Sequence, residues 1–220
     1  MKTVAFFNNK GGVGKTTLVY HIAWMLQYLG VRVVVVDLDP QANLTAAFLS
    51  DEELERLWSS DPAQTIFGAV EPLVERLGDH GAVPTREIEG IRLIPGDLAL
   101  SRFEDRLSLA WGACLDDNAA NARDGFRVIS AFHRITRVAA QDWKADIALL
   151  DVGPNLGALN RSALVACDAV VVPLAADLFS FRGLRNLGPA LREWRGGWGN
   201  RPARPPAGGP PLPPPAVGPA

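Results

Sequence analysis

Residues 9–17 read Asn9-Lys10-Gly11-Gly12-Val13-Gly14-Lys15-Thr16-Thr17 and are flanked by two segments of opposite character. An apolar run over 3–7 precedes them and predicts a β-strand. Apolar residues recur at helical spacing over 16–29 and predict a helix that stops at Gly30. Glycines let the backbone curl so that successive N–H groups converge, and a helix N-terminus adds partial positive charge. The stretch therefore predicts a phosphate-binding loop over residues 10–17: Lys10, Gly11, Gly12, Val13, Gly14, Lys15, Thr16 and Thr17.

Two side chains of this loop have a defined chemistry in nucleotide binding. Lys15 is expected to bridge the β- and γ-phosphates of a nucleoside triphosphate, and the Thr16 hydroxyl to ligate Mg²⁺. The strict pattern has glycine six places before the lysine, where this chain has Asn9. A glycine-rich turn that binds nothing is the alternative, but the flanking strand and helix favour the phosphate interpretation.

Two further predicted strands end in carboxylates. The β-branched run within residues 32–37 is typical of a strand buried on both faces of a parallel sheet, and residues 147–151 form an apolar strand that ends in Asp151. The C-terminal ends of such strands line the ligand crevice. We therefore expect Asp37, Asp39 and Asp151 near the phosphates, where carboxylates hold Mg²⁺ or its waters. In the alternative interpretation Asp37 only ends a strand and Asn43 caps the next helix.

The remaining pattern predicts the fold class. Strands near 91–94, 146–151 and 169–173 alternate with helices near 63–77, 119–141, 156–166 and 179–194. This alternation predicts a doubly wound α/β domain with a mostly parallel sheet, over residues 1–195. The last 25 residues carry 9 of the 17 prolines and 6 of the 21 glycines, which predicts a disordered Pro/Gly/Arg-rich tail over 196–220.

Composition excludes several classes of protein. The 22 basic and 24 acidic residues leave a formal charge of -2, so no global basic field marks a nucleic-acid binder. No apolar run approaches the roughly 20 residues of a membrane span, and the first apolar stretch is too short for a secretory signal. The two cysteines, Cys114 and Cys167, indicate a reducing, cytoplasmic setting.

A second lysine inside the loop makes residues 10–17, KGGVGKTT, similar to the deviant Walker A motif of the ParA/MinD family of P-loop ATPases, in its ParA (partition) branch. Residues 37–43 resemble the family motif DxDPQxN. Residues 151–157 resemble its DxPP switch segment, with Gly153 in place of the first proline. The resemblance is close over 1–49, loose over 91–108, and good over 145–194.

This resemblance implies ATP and Mg²⁺ as cofactors and an ATP-dependent homodimer, in which Lys10 reaches the phosphates bound by the other subunit. It implies that Asp39 positions the hydrolytic water and that Asp37 supports the metal shell. The implied catalytic residues are Lys10, Lys15 and Asp39, and the implied metal residues are Thr16, Asp37, Asp39 and Asp151. The implied partners are non-specific DNA and a ParB-like stimulating protein, with a cytoplasmic, nucleoid-associated location and no stable membrane association.

An arginine-rich stretch offers a candidate DNA contact. Residues 182–204 carry six arginines and one acid, and helical spacing places several of these arginines on one face. Non-specific phosphate contacts would follow from Arg182, Arg185, Arg192 and Arg195. A solvated helix face with a charged tail is the alternative interpretation.

Other functions stay open beside ATP-driven partition. One is a truncated paralogue that holds nucleotide without effective turnover. Another is a MinD-like membrane-cycling ATPase, which the proline-rich C-terminus disfavours. An iron–sulfur reductase relative would need paired cysteines, and a tyrosine-kinase relative a tyrosine-rich tail. After Trp194 the family pattern stops, so a C-terminally shortened domain is expected, with a tail that is either native or the product of a changed reading frame. Base recognition and hydrolysis would be impaired in either case.

Overall fold

A six-stranded sheet forms the centre of the described part of the chain. The computed structural model describes residues 1–60, 63–175, 178–201 and 205–213, except for the side chains of 178–184 and 186. The strand order is β3-β4-β2-β5-β1-β6, and all neighbouring strands are parallel except β3 and β4. The strands are β1 (Lys2–Phe6), β2 (Val33–Asp37), β3 (Arg86–Ile88), β4 (Ile91–Ile94), β5 (Ile147–Asp151) and β6 (Ala169–Val171).

Helices cover both faces of this sheet. Three of them pack on one face around Val33, Val35 and Leu149, and the remainder pack on the other face around Val34 and Leu150. The first group is α1 (Lys15–Tyr28), α2 (Asn43–Phe48) and α3 (Asp51–Trp58). The second group is α4 (Ile66–Val74), α5 (Phe103–Ala113), α6 (Ala119–Ile129), α7 (Ala131–Trp143), α8 (Ala158–Val165) and α9 (Leu178–Gly199). The predicted doubly wound α/β class is confirmed.

Strand order and register bring three chain segments together. β5 lies between β1 and β2, and its last residue, Asp151, is in register with both Phe6 and Asp37. The N–H of Leu38 donates to the carbonyl of Asp151 at 2.9 Å, which ties the segments after β2 and β5 to each other. The glycine-rich loop after β1 therefore lies beside the carboxylates that end β2 and β5.

Some elements differ from the expectations. The helix predicted over 119–141 is two helices, α6 and α7, which meet at Ser130, and the Ser130 hydroxyl donates to the carbonyl of Phe126 at 2.7 Å. β3, α3 and α5 were not predicted. For α3 the signal was present in the sequence, because Ser50 and Glu53 form a reciprocal capping box at its start.

The packed chain continues past Arg195, where the sequence analysis placed the end of the body. α9 runs to Gly199, and Trp198 is only 2% exposed, with its ring 6.3 Å from that of Trp111 and 6.1 Å from that of Phe126. Arg201 lies over the Trp111 ring at 3.8 Å and donates to the carbonyl of that residue at 3.0 Å. Burial of a large tryptophan outweighs the local effect of the surrounding glycines. Residues 202–204 and 214–220 of the predicted tail lie outside the described residues.

In the described ranges, no helix combines the length and the apolar character that crossing a bilayer requires.

Candidate functional site

The loop between β1 and α1 has the backbone geometry of an anion-binding turn. Gly12 and Gly14 have positive φ values of 72° and 80°, a conformation that side chains disfavour. Gly14 is the N-cap of α1 and, as a glycine, provides no side chain to cap the first-turn amides of that helix. A helix start without a side-chain cap leaves N–H groups for a ligand.

An open cleft of about 650 Å³ lies in front of this loop. Lys15 borders it and is only 8% exposed. This volume is in the range of small-molecule sites, roughly 300–1,000 Å³. Its lining is Gly11, Gly12, Gly14, Lys15, Thr16, Thr17, Tyr20, Asp39, Gln41, Asn43, Ala47 and Pro154. Within the described chain, Lys10 and Val13 of the predicted loop are therefore not part of the cleft wall.

Asn8 ties the loop to β6, and sequence reasoning missed it. Its side-chain amide donates to the carbonyl of Pro173 at 2.7 Å, and its Oδ1 accepts the N–H of Lys10 at 3.0 Å. Asn8 is buried, so both bonds are protected from water. A polar residue directly after a buried apolar strand was the available signal.

Thr16 and Asp151 meet at the centre of the site. The Thr16 hydroxyl donates to Asp151 Oδ2 at 2.6 Å, while Asp151 Oδ1 is buried and accepts no hydrogen bond from the described protein. Burial, with a further contribution from the charge of Asp39, raises the pKa of Asp151 to about 6. A buried carboxylate oxygen without a donor costs free energy unless a cation or its water satisfies it.

These residues fit a hydrated Mg²⁺ ion. Mg²⁺ keeps several waters and takes only one or two protein oxygens beside substrate phosphates. No group of three or more His, Cys, Asp or Glu side chains suited to a metal occurs among the described residues. A metal at this site would therefore depend on Thr16, Asp151, water and phosphate oxygens together.

Asp37 has a different environment from Asp151. Its Oδ2 accepts from the backbone N–H and the hydroxyl of Thr45 at 2.8 and 2.7 Å, and its Oδ1 accepts the N–H of Asp39 at 3.3 Å. A Cβ at Gly96 would lie 2.8 Å from its carboxyl carbon, so that side is closed. Asp37 therefore anchors the start of α2 and is not among the residues that line the cleft.

The titration of Asp37 predicts how stability depends on pH. Burial, reinforced by the charge of Asp151, raises its pKa from 3.8 to about 7. Between pH 4 and 7 the folded protein therefore binds more protons than the unfolded chain, so stability falls as pH rises through this window. We expect the protein without nucleotide to be more stable at pH 6 than at pH 8 by about 1–2 kcal/mol.

Urea unfolding at the two pH values measures this difference in free energy of unfolding. Asp37→Asn is expected to remove most of it, whereas Asp142→Asn, at an exposed site on α7, is expected to leave it in place. Greater stability at pH 8 in the wild-type protein would contradict the assignment.

Asp39 faces the cleft from the segment after β2. It is 8% exposed, and its Oδ1 accepts the N–H of Gln41 at 3.0 Å. Its carboxylate lies directly opposite Gly153, where a Cβ would approach Oδ1 to 3.3 Å. Asn43 does not cap α2 as the alternative interpretation expected; it is the first helical residue, and Ala42 is the N-cap with a φ of 51°.

Tyr20 is a second cleft residue that the sequence analysis did not select. Its ring lies 4.9 Å from that of Phe48 and thereby packs α1 against α2. An aromatic residue one turn after the phosphate loop was its only signal.

The arginines proposed for DNA lie on α9. The side chains of Arg185, Arg192 and Arg195 are exposed. The side chain of Arg182 lies outside the described residues. Both cysteines are buried and free, and burial raises the pKa of each thiol to about 12, as expected of structural rather than reactive cysteines.

Comparison with known proteins adds independent information. A family model described as an AAA domain matches residues 1–196. A chromosome-partitioning ATPase, Soj, from Thermus thermophilus is 30% identical over 199 residues, which are 90% of this chain and 64% of that protein. The chain spans less than two thirds of the length of the curated relatives it matches first.

The solved structures that are similar to the chain include the following two. The crystal structure of protein DIP2308 from Corynebacterium diphtheriae has a TM-score of 0.80 and 35% identity, covering 92% of this chain and 70% of that one. A cobyrinic acid a,c-diamide synthase from Mycobacterium smegmatis, with bound ADP and magnesium, has a TM-score of 0.65 and 27% identity, covering 89% and 69%.

Proposed function

Because this chain belongs to the ParA/MinD family of P-loop ATPases, in its partition branch, we propose that it is an ATP-dependent switch in the partition of a plasmid or chromosome. The observation that carries the proposal is the bond of 2.6 Å from Thr16 to Asp151, beside a buried carboxylate oxygen to which no described residue donates. A hydroxyl and a carboxylate in this relation, next to a buried lysine, suit Mg²⁺ and a triphosphate. The relatives that are partition ATPases support the same conclusion.

Each residue of the site then has a role in binding or in hydrolysis. The amides of residues 11–17 and the Lys15 ammonium bind the phosphates, and Thr16 with Asp151 holds Mg²⁺. When bound, Mg²⁺ neutralises charge on the β- and γ-phosphates. Asp39, which also lines the cleft, orients the water that attacks the terminal phosphate by accepting a hydrogen bond from it.

Lys10 completes the site of a second subunit in this proposal. Gly11 and Gly12 are exposed, and Lys10 is absent from the wall of its own cleft within the described structure. A loop presented at the surface allows two copies to face each other across two nucleotides, with each Lys10 directed at the partner's phosphates. Dimerisation is then favoured by ATP, since only the ATP-bound state offers both lysines a γ-phosphate.

Non-specific DNA is the proposed ligand of the exposed arginines on α9. Arg185, Arg192 and Arg195 present cationic side chains from a single helix, which suits contact with a phosphate backbone. A ParB-like protein is the proposed stimulator of hydrolysis, and a cytoplasmic, nucleoid-associated location follows from the DNA contact.

Size-exclusion chromatography with Mg²⁺ and a non-hydrolysable ATP analogue tests the proposal. We expect the wild-type protein to elute as a monomer alone and as a dimer with the analogue. The dimer should then be retained on DNA and lost steeply as salt rises, by about 10³-fold in affinity between 50 and 200 mM if roughly six phosphates are contacted.

A triple variant, Arg185→Ala with Arg192→Ala and Arg195→Ala, should lose this retention. Arg123→Ala, an exposed arginine of α6, should keep it. A protein that stays monomeric with the analogue contradicts the switch, and a flat salt response contradicts the DNA contact. Binding of ATP without phosphate release would identify a nucleotide-holding paralogue.

A further inference from the structure

The segment over residues 152–157 forms one wall of the environment of Asp39. Gly153 lies so close to Asp39 that a Cβ at this position would be 3.3 Å from Oδ1. Pro154 lines the same cleft as Asp39. Any shift of this segment therefore changes the space in which the Asp39 carboxylate can move.

Asn160, on the first turn of α8, holds this segment through its side chain. Its Nδ2 lies 2.7 Å from the carbonyl oxygen of Gly153, 2.6 Å from that of Asn155 and 3.0 Å from Asn155 Oδ1. All three neighbours are acceptors, so the amide nitrogen and not the oxygen must face them. Asn160 is 1% exposed, so these bonds are shielded from competition by water.

The start of α8 is itself anchored from another helix. Glu104 of α5 accepts the N–H of Ala158 at 2.5 Å and that of Leu159 at 2.8 Å, through its two carboxylate oxygens. A carboxylate at a helix N-terminus satisfies two of its unpaired amides and interacts favourably with the helix dipole. The helix turn that carries Asn160 is therefore held in place by Glu104.

We propose that Asn160 is a positioning residue for hydrolysis, which rests on the function proposed above. Its amide clamps residues 153–155 to α8, and the clamped Gly153 limits the space that is open to the Asp39 carboxylate in the cleft. Glycine at position 153 has no side chain to stiffen the segment, and the clamp supplies the missing restraint from outside. Asn160 is not among the described residues that line the cleft, so it acts on the site through its neighbours.

Asn160→Ala tests the clamp, with Asn121→Ala on the exposed surface of α6 as the matched control. We expect the rate of phosphate release at saturating ATP to fall about tenfold, because small misplacements of a catalytic group are costly. The affinity for the ATP analogue should stay within about twofold, since residues 11–17 are untouched. The rate of phosphate release of Asn160→Ser, which keeps one donor, should lie between the rates of the wild-type protein and Asn160→Ala.

Amide hydrogen exchange provides a readout that does not need turnover. In Asn160→Ala, exchange should accelerate over 153–157 and also over 39–42, but not over 11–17. The proposal would be overturned if amide exchange accelerated only in α8. It would also be overturned if Asn160→Ala lowered the rate of phosphate release and the affinity for the ATP analogue by the same factor. If the wild-type protein releases no phosphate, the proposed function fails, while exchange over 39–42 still decides whether the clamp acts on Asp39.

Discussion

Lys15→Ala is expected to lower the affinity for ATP by at least about 100-fold, which corresponds to roughly 2.7 kcal/mol. Lys15 lines the cleft and is only 8% exposed, so its ammonium is largely withdrawn from water before a ligand arrives. Charge-assisted hydrogen bonds to phosphate oxygens in such a site are among the strongest that a side chain makes. Alanine removes the charge and leaves the phosphates without this partner.

Titration with a fluorescent ATP analogue measures the loss of affinity. Lys144→Ala is the matched control, because Lys144 is an exposed lysine at the end of α7, far along the chain from the loop. Equal affinities of the wild-type protein and Lys15→Ala would show that the loop does not bind the triphosphate.

Lys10→Ala is expected to lower ATP hydrolysis by at least about 100-fold, a smaller effect than the roughly 10³–10⁵-fold contribution of an arginine supplied by a partner protein. Because Lys10 is not among the residues that line its own cleft, the affinity of a single subunit for ATP should change only a few-fold. Dimer formation with the non-hydrolysable analogue should be lost in the same variant. Phosphate release and elution volume measure the two effects.

Mixing two inactive variants shows in which subunit Lys10 acts. A mixed dimer of Lys10→Ala and Asp39→Ala has one site with an intact Asp39 and a Lys10 from the partner. If the lysine acts across the dimer, an equal mixture should recover a rate that neither variant shows alone. This rate should be at most about a quarter of the wild-type rate, since random pairing would make half of the dimers mixed and each mixed dimer has one complete site. No recovery would place the action of Lys10 within its own subunit and contradict the proposed dimer.

The phosphate loop was predictable because all its requirements are local. Residues 2–16 contain the strand β1, two glycines at positive φ and the start of α1, one after the other. The geometry that relates these three features therefore does not depend on the rest of the chain. Neighbouring residues along a chain are close in any fold. The order of helices and strands was likewise sufficient for the α/β class, since parallel strands need crossover connections.

The two buried aspartates show where such prediction stops. Asp37 and Asp151 both follow apolar runs, and the sequence analysis treated them alike as metal residues. In the fold, Thr45 and Gly96 enclose Asp37. Asp151 instead accepts a hydrogen bond from Thr16, and its other oxygen has no donor among the residues that the structure describes. The difference depends on residues up to 135 positions apart, which no local pattern can bring together.

The sequence by itself therefore determined the nucleotide loop, the family and the fold class, because each rests on contiguous residues and on periodicities of a few positions. Tertiary structure alone decided that Asp37 and Asp151 have different surroundings, that Asn8 and Asn160 hydrogen-bond to segments beside the cleft, and that Trp198 belongs to the core. The physical reason is the same in each case. These properties are set by burial and by hydrogen bonds between distant segments, and they exist only once strand order and register have placed those segments side by side.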